Sequence, residues 1–437
     1  MRQLQEEKFR LSSLTIYREA AEDPVVRLLT RLLSEQFSDV YEAASDYGAF
    51  CALLAQSESR GDLTDYLYRT ALYSDNIFTR QAARGQLSEL SENVRAAAAR
   101  DLETLWYAAA ITADELKNNL SRAYPSYGDV ISGLPDYDTL PPRQLANWGE
   151  SINTFADFAR ANGYGDYARY ISFLLAVDKD GGILLDPVKA PDGIRLGDLK
   201  EYERERKIVI DNTLSLLDGE RANNILLYGD RGTGKSSTVK AILNEYAGKG
   251  LRLIEVSKYN LKYLAPLIEL LQDNPLKFII FTDDLSFTEN DSNYTAMKAV
   301  LDGSTLKLPD NVVIYATSNR RHMVKETFSG REGDEVHLAD TLDEAASLSD
   351  RFGITVTFLS PNRKKFNEIV LLLAKDCALE VPEEKLLEEA NIWAMRKANF
   401  SPRCARQFID HVCARVNRGE SFEWTAGGTE KEKKKTL

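Results

Sequence analysis

The sequence predicts an all-α N-terminal domain followed by an α/β domain built on a parallel sheet, with a return to helix at the C-terminal end. Three observations carry this. Through about residue 177, apolar residues recur at three- and four-residue spacing. Beyond about residue 195 they gather instead in short runs at 225–228, 251–256, 278–282, 312–316 and 354–358, each separated by a helical stretch, as in βαβ proteins. From Arg363 onward the helical spacing resumes.

In the N-terminal half the spacing is clear in Val25, Val26, Leu28, Leu29, Leu32 and Leu33, and again in Leu87, Leu90, Val94, Leu102 and Leu105. Pro24 after Asp23 suits a helix start, and Thr112-Ala113-Asp114-Glu115 has the form of a capping box. Ala96-Ala97-Ala98-Ala99 continues a helix of high propensity. Gly, Pro and Tyr cluster between 124 and 142, after which 143–158 and 167–177 read as two more helices. Tyr66, Tyr68, Tyr73, Tyr124 and Tyr127 suit half-buried packing positions better than a partner surface. Asp178-Lys179-Asp180-Gly181-Gly182 and the prolines at 187 and 191 then break the pattern. The expected division is a helical domain at 1–180, a linker at 181–194, an α/β domain at 195–360, a helical segment at 361–425 and a solvated tail at 426–437.

The 437 residues are 43% hydrophobic and 28% charged, ordinary for a soluble globular chain. A net charge of −12 argues against broad adhesion to nucleic acid or anionic membrane. Cys51, Cys377, Cys404 and Cys413 form no CxxC pair and His322, His337 and His411 are scattered, so neither a zinc site nor a disulfide framework is expected. With no apolar leader and no stretch of membrane-spanning length, the expected location is the cytoplasm.

The chemistry is concentrated after the first apolar run. Ile225-Leu226-Leu227-Tyr228 leads into Gly229-Asp230-Arg231-Gly232-Thr233-Gly234-Lys235-Ser236, with Ser237 next on the helix that follows. This is the G-x-x-x-x-G-K-[ST] phosphate loop (Walker A) in strand–loop–helix context: its N–H groups cradle phosphate oxygens, Lys235 reaches the β- and γ-phosphates, and the Ser236 hydroxyl ligates Mg²⁺. Phe278-Ile279-Ile280-Phe281-Thr282 ends in Asp283 and Asp284 (Walker B), at the strand end where open parallel sheets bind ligands. Asp283 suits a Mg²⁺-holding role and Asp284 the orientation of an attacking water. The run ending Ala316-Thr317-Ser318-Asn319 offers an amide that both donates and accepts, suited to γ-phosphate and water together. Arg320-Arg321-His322 read as surface charges. Arg351 precedes the last strand and Arg403 starts a C-terminal helix; an arginine beside a transferring phosphoryl group neutralises developing charge.

Together these motifs resemble the AAA+ ATPases, and more closely a bacterial family of AAA+ proteins grouped as a domain of unknown function. The resemblance spans 188–412. It is carried by Arg195-Leu196-Gly197-Asp198-Leu199, Asn223-Asn224-Ile225-Leu226-Leu227-Tyr228-Gly229, Gly250-Leu251-Arg252-Leu253-Ile254-Glu255-Val256, Asp283-Asp284-Leu285-Ser286-Phe287 and Ala316-Thr317-Ser318-Asn319-Arg320-Arg321-His322. It implies a five-stranded parallel sheet with the Asn319 strand between those of the phosphate loop and Asp283, then a small helical lid. It further implies that Asn319 is sensor 1, Arg351 the arginine finger and Arg403 sensor 2, and that residues near Leu196 to Leu199 border the adenine. AAA+ proteins usually have Glu where this chain has Asp284.

The reading is a Mg²⁺-dependent ATPase that couples hydrolysis to motion on an unknown protein client, held through the N-terminal domain, with ATP-dependent self-association into a ring or other homo-oligomer. Two alternatives stay open: an ATP-gated binding switch with little intrinsic hydrolysis, and a nucleic-acid loader or remodeller, which the acidic balance disfavours.

Overall fold

The computed structural model describes residues 4–34, 37–140, 146–285, 287–288, 292–302, 307–319, 324–325 and 350–420. Within it the chain forms two compact units. The expected tail at 426–437 and the Arg320-Arg321-His322 run lie outside the described residues. No helix among the described residues is long and apolar enough to cross a membrane.

The larger unit holds Ser172–Ala247, Leu251–Asp273 and Lys277–Leu437. Its sheet has seven strands: β1 (Ser172–Val177), β2 (Ile183–Pro187), β3 (Ile225–Gly229), β4 (Leu251–Glu255), β5 (Lys277–Thr282), β6 (Val312–Ser318) and β7 (Ile354–Phe358). Their order is β2-β1-β4-β5-β6-β3-β7. The five expected parallel strands are all present, and β6 lies between β5 and β3 as the resemblance implied. Apart from these, Phe287–Thr288 pairs in parallel with Val324–Lys325.

β1 and β2 lie where the sequence predicts helix and linker. Residues 167–177 were expected to be helix and 181–194 a linker; instead the helix Gly165–Arg169 is short, β1 pairs in parallel with β4, and β2 turns back antiparallel along β1. A short apolar run such as Phe173-Leu174-Leu175-Ala176-Val177 fits a buried strand and a helix equally well, so periodicity could not decide. The residues read as a break form a hairpin turn: Asp178 accepts the N–H groups of Asp180 (2.9 Å) and Gly182 (2.7 Å), and Gly181 takes φ +85°. The sheet unit accordingly begins at Ser172, with seven strands and not five.

Parallel pairing aligns the C-terminal ends of strands far apart in sequence. Tyr228 sits opposite Ser318, Gly229 opposite Phe358, and Thr282 opposite Ala316, so the loops after β3, β5, β6 and β7 leave one edge of the sheet together. Burial holds that register: every residue of β6 and all of β5 from Phe278 on is buried. At the opposite edge, the Asn224 side chain accepts the Ile314 N–H (2.8 Å) while its carbonyl accepts that of Ile354 (3.2 Å), fixing both neighbours of β3. The Tyr315 hydroxyl bonds Asn212 (3.0 Å) and Thr213 (2.8 Å) on the helix Glu203–Leu217, and burial pushes its phenol up to about 12. Beyond β7 come three helices, Arg363–Asp376, Glu383–Arg396 and Pro402–Val416, closed around Phe366, Ile369, Leu373, Leu386, Phe408 and Ile409.

The other unit, mainly Met1–Ile171, is helical. Asp23 caps the helix Pro24–Leu32 with Pro24 at its first position, and the Thr112–Glu115 capping box opens Ala113–Ala123, both as expected. Val26, Leu29, Phe50, Leu67, Phe78, Leu102 and Phe155 share its core. Four of the five tyrosines pack as the sequence suggested: the Tyr66 hydroxyl donates to Asp23 (2.8 Å), Tyr68 lies 5.3 Å from Trp148, Tyr73 5.9 Å from Phe158 and Tyr124 6.4 Å from Phe37. Tyr127 is exposed.

One buried charge organises the turn after the first helix. Asp101 is fully buried, and its Oδ2 accepts the backbone N–H groups of Thr15 (2.8 Å), Ile16 (2.7 Å) and Tyr17 (3.1 Å). A carboxylate meets such successive donors better than a neutral acceptor. Asp101→Ala is expected to destabilise this unit by about 3 kcal/mol. Urea unfolding of the full chain, followed by circular dichroism, checks this; an unchanged midpoint would refute it.

Candidate nucleotide site

The phosphate loop begins where β3 runs out of room. Gly229 takes φ +134°, and a Cβ placed on it would lie 2.0 Å from the Phe358 carbonyl oxygen. Only a residue without a side chain lets β3 pair with β7 to its last position. The Asp230 N–H then reaches the Phe358 carbonyl (3.0 Å), and the Asp230 carboxylate accepts the Ser360 N–H (2.7 Å), closing the loop base from both sides. Gly232 and Gly234 supply the left-handed turns at φ +78° and +98°, after which the helix Lys235–Tyr246 starts. The Thr233 hydroxyl donates to the Asp230 carbonyl (2.8 Å), while Arg231 stays exposed.

Lys235 is buried, with its Nζ donating to the carbonyls of Gly229 (2.8 Å) and Asp230 (2.8 Å) and to Asn319 Oδ1 (3.2 Å). Burial holds its pKa below the ordinary lysine value, opposed by the carboxylates of Asp283, Asp230 and Asp284. The ammonium is thus caged by acceptors of the loop it would serve.

Asp283 and Asp284 follow β5 directly. Ser236 Oγ donates to Asp283 Oδ1 at 2.5 Å, joining the phosphate loop to the acidic strand end. Hydroxyl and carboxylate oxygens are the hard donors Mg²⁺ takes alongside phosphate and water, so Ser236 and Asp283 fit such an ion. Asp284 adopts φ +51°, a left-handed conformation that costs a non-glycine residue about 1–2 kcal/mol. Its carboxylate Oδ1 accepts from Asn319 Nδ2 (2.6 Å). Three expected groups, Lys235, Asn319 and Asp284, therefore form one hydrogen-bonded series.

The helices after β7 reach this loop. The Arg403 N–H donates to the Gly232 carbonyl (3.1 Å), and a Cβ on Gly232 would come within 2.7 Å of Ser401 Oγ. Between them lies a cavity of about 220 Å³, lined among others by Ile194, Leu199, Ser237, Thr238, Leu373 and Arg403. Asp198 also lines it, and its carbonyl accepts from Arg406 (3.2 Å). Of the residues expected to border the base, Asp198 and Leu199 line the cavity together with Ile194, while Leu196, half-buried on the 3₁₀ turn Leu196–Asp198, is not among the lining residues. Arg351 pairs with Asp302 of the same chain.

Thr317, Ser401 and Arg406, none of them a candidate on the sequence, also border this site. A signal existed for the first: polar residues at the buried end of an apolar strand must find partners. Ser401 followed by Pro402 is a helix N-cap pattern, and Ser401 does accept the Cys404 N–H (3.3 Å). Nothing in the sequence marks Arg406.

The fit at Gly229 makes a sharp expectation. Gly229→Ala should lower stability by about 3 kcal/mol or more and remove nucleotide binding, because the added carbon meets backbone. Gly193→Ala, where a Cβ meets open space, should change stability by no more than about 0.5 kcal/mol. Thermal unfolding with and without ATP checks the pair, and equal behaviour of the two variants would contradict the close approach.

Among curated proteins none matches the chain. Solved structures similar to it include RuvB of Thermotoga maritima, a Holliday junction branch migration motor, at 15% identity over 52% of this chain and 66% of RuvB, with a TM-score of 0.36. A mutant form of that protein stands at 14% identity, 53% and 68% coverage and a TM-score of 0.37. The AAA domain of FIGL-1, solved in complex with ADP, stands at 16%, 52%, 76% and 0.36. The chain thus spans just under two thirds of RuvB. A family model, by contrast, covers residues 170–416, more than half of the sequence, from the start of β1 to the end of the last helix. The chain belongs to that family, DUF815, described as a protein of unknown function.

Proposed function

We propose that this chain is a cytoplasmic, Mg²⁺-dependent AAA+ ATPase in which nucleotide state sets the relation of the sheet to the helices after β7. The observation that carries the reading is the continuous polar series at one sheet edge: Ser236 to Asp283, Asp284 to Asn319, and Asn319 to Lys235. Its members come from two strand ends and one helix, and all are of residue types that phosphoryl transfer uses.

A bound divalent ion would supply charge neutralisation on the β- and γ-phosphates. The chain's own residues do the rest. Successive N–H groups of the phosphate loop hold the phosphates, and Lys235 trades its carbonyl partners for phosphate oxygens. Asp284 accepts the proton of a water whose oxygen bonds the γ-phosphorus while the bond to the bridging oxygen breaks, ADP keeping that electron pair. Asn319 orients the water. Arg403 would act as sensor 2 from the far side of Gly232, and Arg351, released from Asp302, as the finger offered to a neighbouring copy in an ATP-dependent assembly. The helical N-terminal unit would hold a protein client.

A second reading, an ATP-gated switch with little hydrolysis, is favoured by the hydrogen bond that occupies Asp284 and by the shortness of its side chain. Single-turnover phosphate release at saturating Mg-ATP decides between them. Under the ATPase reading Asp284→Asn slows release by about 100-fold with ATP affinity nearly unchanged, and Lys235→Ala is at least as damaged. DNA should leave the rate unaltered. Equal rates for wild type and Asp284→Asn would remove Asp284 from the mechanism and leave the switch.

A further inference from the structure

We propose that Thr317 is a positioning residue that sets both carboxylates of the site at once, an inference that rests on the ATPase reading. Thr317 stands near the end of β6 and is buried, with 2% of its surface exposed. Its hydroxyl donates to Asp283 Oδ1 (2.5 Å) and accepts the backbone N–H of Asp284 (2.9 Å). Its carbonyl accepts the N–H of Leu285 (2.7 Å). One residue thus grips three successive residues of the acidic elbow.

The directions of these bonds are forced. A carboxylate at neutral pH only accepts and a backbone N–H only donates, so the single hydroxyl proton must go to Asp283 and a lone pair must face Asp284. The hydroxyl therefore does two jobs that no apolar side chain of the same shape can do. It shares Asp283 Oδ1 with Ser236, orienting the carboxylate that would meet the metal. It also holds the Asp284 N–H in the left-handed conformation that turns that carboxylate onto Asn319. Asp284 lacks the extra methylene of a glutamate, so where its carboxylate lies depends on the backbone, and the backbone here depends on Thr317.

The test uses the full-length chain and four variants. Thr317→Val keeps the volume and deletes the hydroxyl, Thr317→Ala deletes it with no branched side chain to accommodate, and Thr317→Ser keeps it. Ser318→Ala removes a neighbouring bond to the same elbow, Ser318 Oγ to the Leu285 carbonyl (3.0 Å), that touches neither carboxylate. Mn²⁺ affinity is read by electron paramagnetic resonance with a non-hydrolysable ATP analogue, nucleotide affinity separately in EDTA, and single-turnover hydrolysis with Mg-ATP. Thr317→Val and Thr317→Ala should weaken Mn²⁺ by about 10-fold and slow hydrolysis by about 30-fold, with nucleotide affinity in EDTA within about twofold of wild type. Thr317→Ser should recover most of both, and Ser318→Ala should bind Mn²⁺ as wild type does. Wild-type Mn²⁺ affinity in Thr317→Val, or equal loss in Ser318→Ala, overturns the proposal. So does failure of both hydroxyl-free variants to fold while Thr317→Ser folds, which would make the residue a folding element. If wild type hydrolyses nothing, the ATPase reading falls, while the Mn²⁺ comparison still decides the role of Thr317.

Discussion

The approach of β3 to β7 at Gly229 governs everything built above the sheet. With no Cβ between them, the two strands pair to their last residues, and Asp230 reaches both the Phe358 carbonyl and the Ser360 N–H. The direction in which the phosphate loop leaves the sheet is set there. Lys235 can then fold back onto the carbonyls of Gly229 and Asp230, and Ser236 arrives beside Asp283. A side chain at this one position would separate the strands and carry the loop away from both.

Electrostatics and sterics divide the work at the edge. The loop, the elbow after β5 and the end of β6 bring a buried Lys235, three exposed aspartates and a half-buried Asn319 together at one edge of the sheet. Each is met by a partner of suitable kind: the ammonium by carbonyls and an amide oxygen, Asp283 by two hydroxyls, Asp284 by an amide, and Asp230 by a backbone N–H. The site is therefore pre-assembled, and a nucleotide entering it would exchange partners without having to gather the groups.

Much of this was legible in the residues. The phosphate loop, the acidic strand end and the Asn319 strand were each readable because an apolar run followed directly by glycine or polar residues has few other meanings in a parallel sheet. The caps at Asp23 and Thr112 were readable because capping is local. What escaped were facts created by long-range pairing. Whether Phe173 to Val177 was strand or helix depended on β4 lying alongside it. That Ile194 joins Leu199 in lining the cavity, and Leu196 does not, depended on how the segment turns at Leu196–Asp198. Thr317 was in plain view yet carried no motif, since its importance comes from Asp283 and Asp284 being delivered to it by another strand.

The contact between the Arg403 N–H and the Gly232 carbonyl is made by main chain on both sides. Such a link is indifferent to side-chain identity: every amino acid except proline presents the same donor at residue 403. The mechanical tie between the C-terminal helices and the phosphate loop can thus persist through extensive sequence drift. The Arg403 side chain, which lines the neighbouring cavity, can accordingly differ without loosening the joint. Variation at residue 403 would thus change what faces the cavity while leaving the backbone link to Gly232 in place.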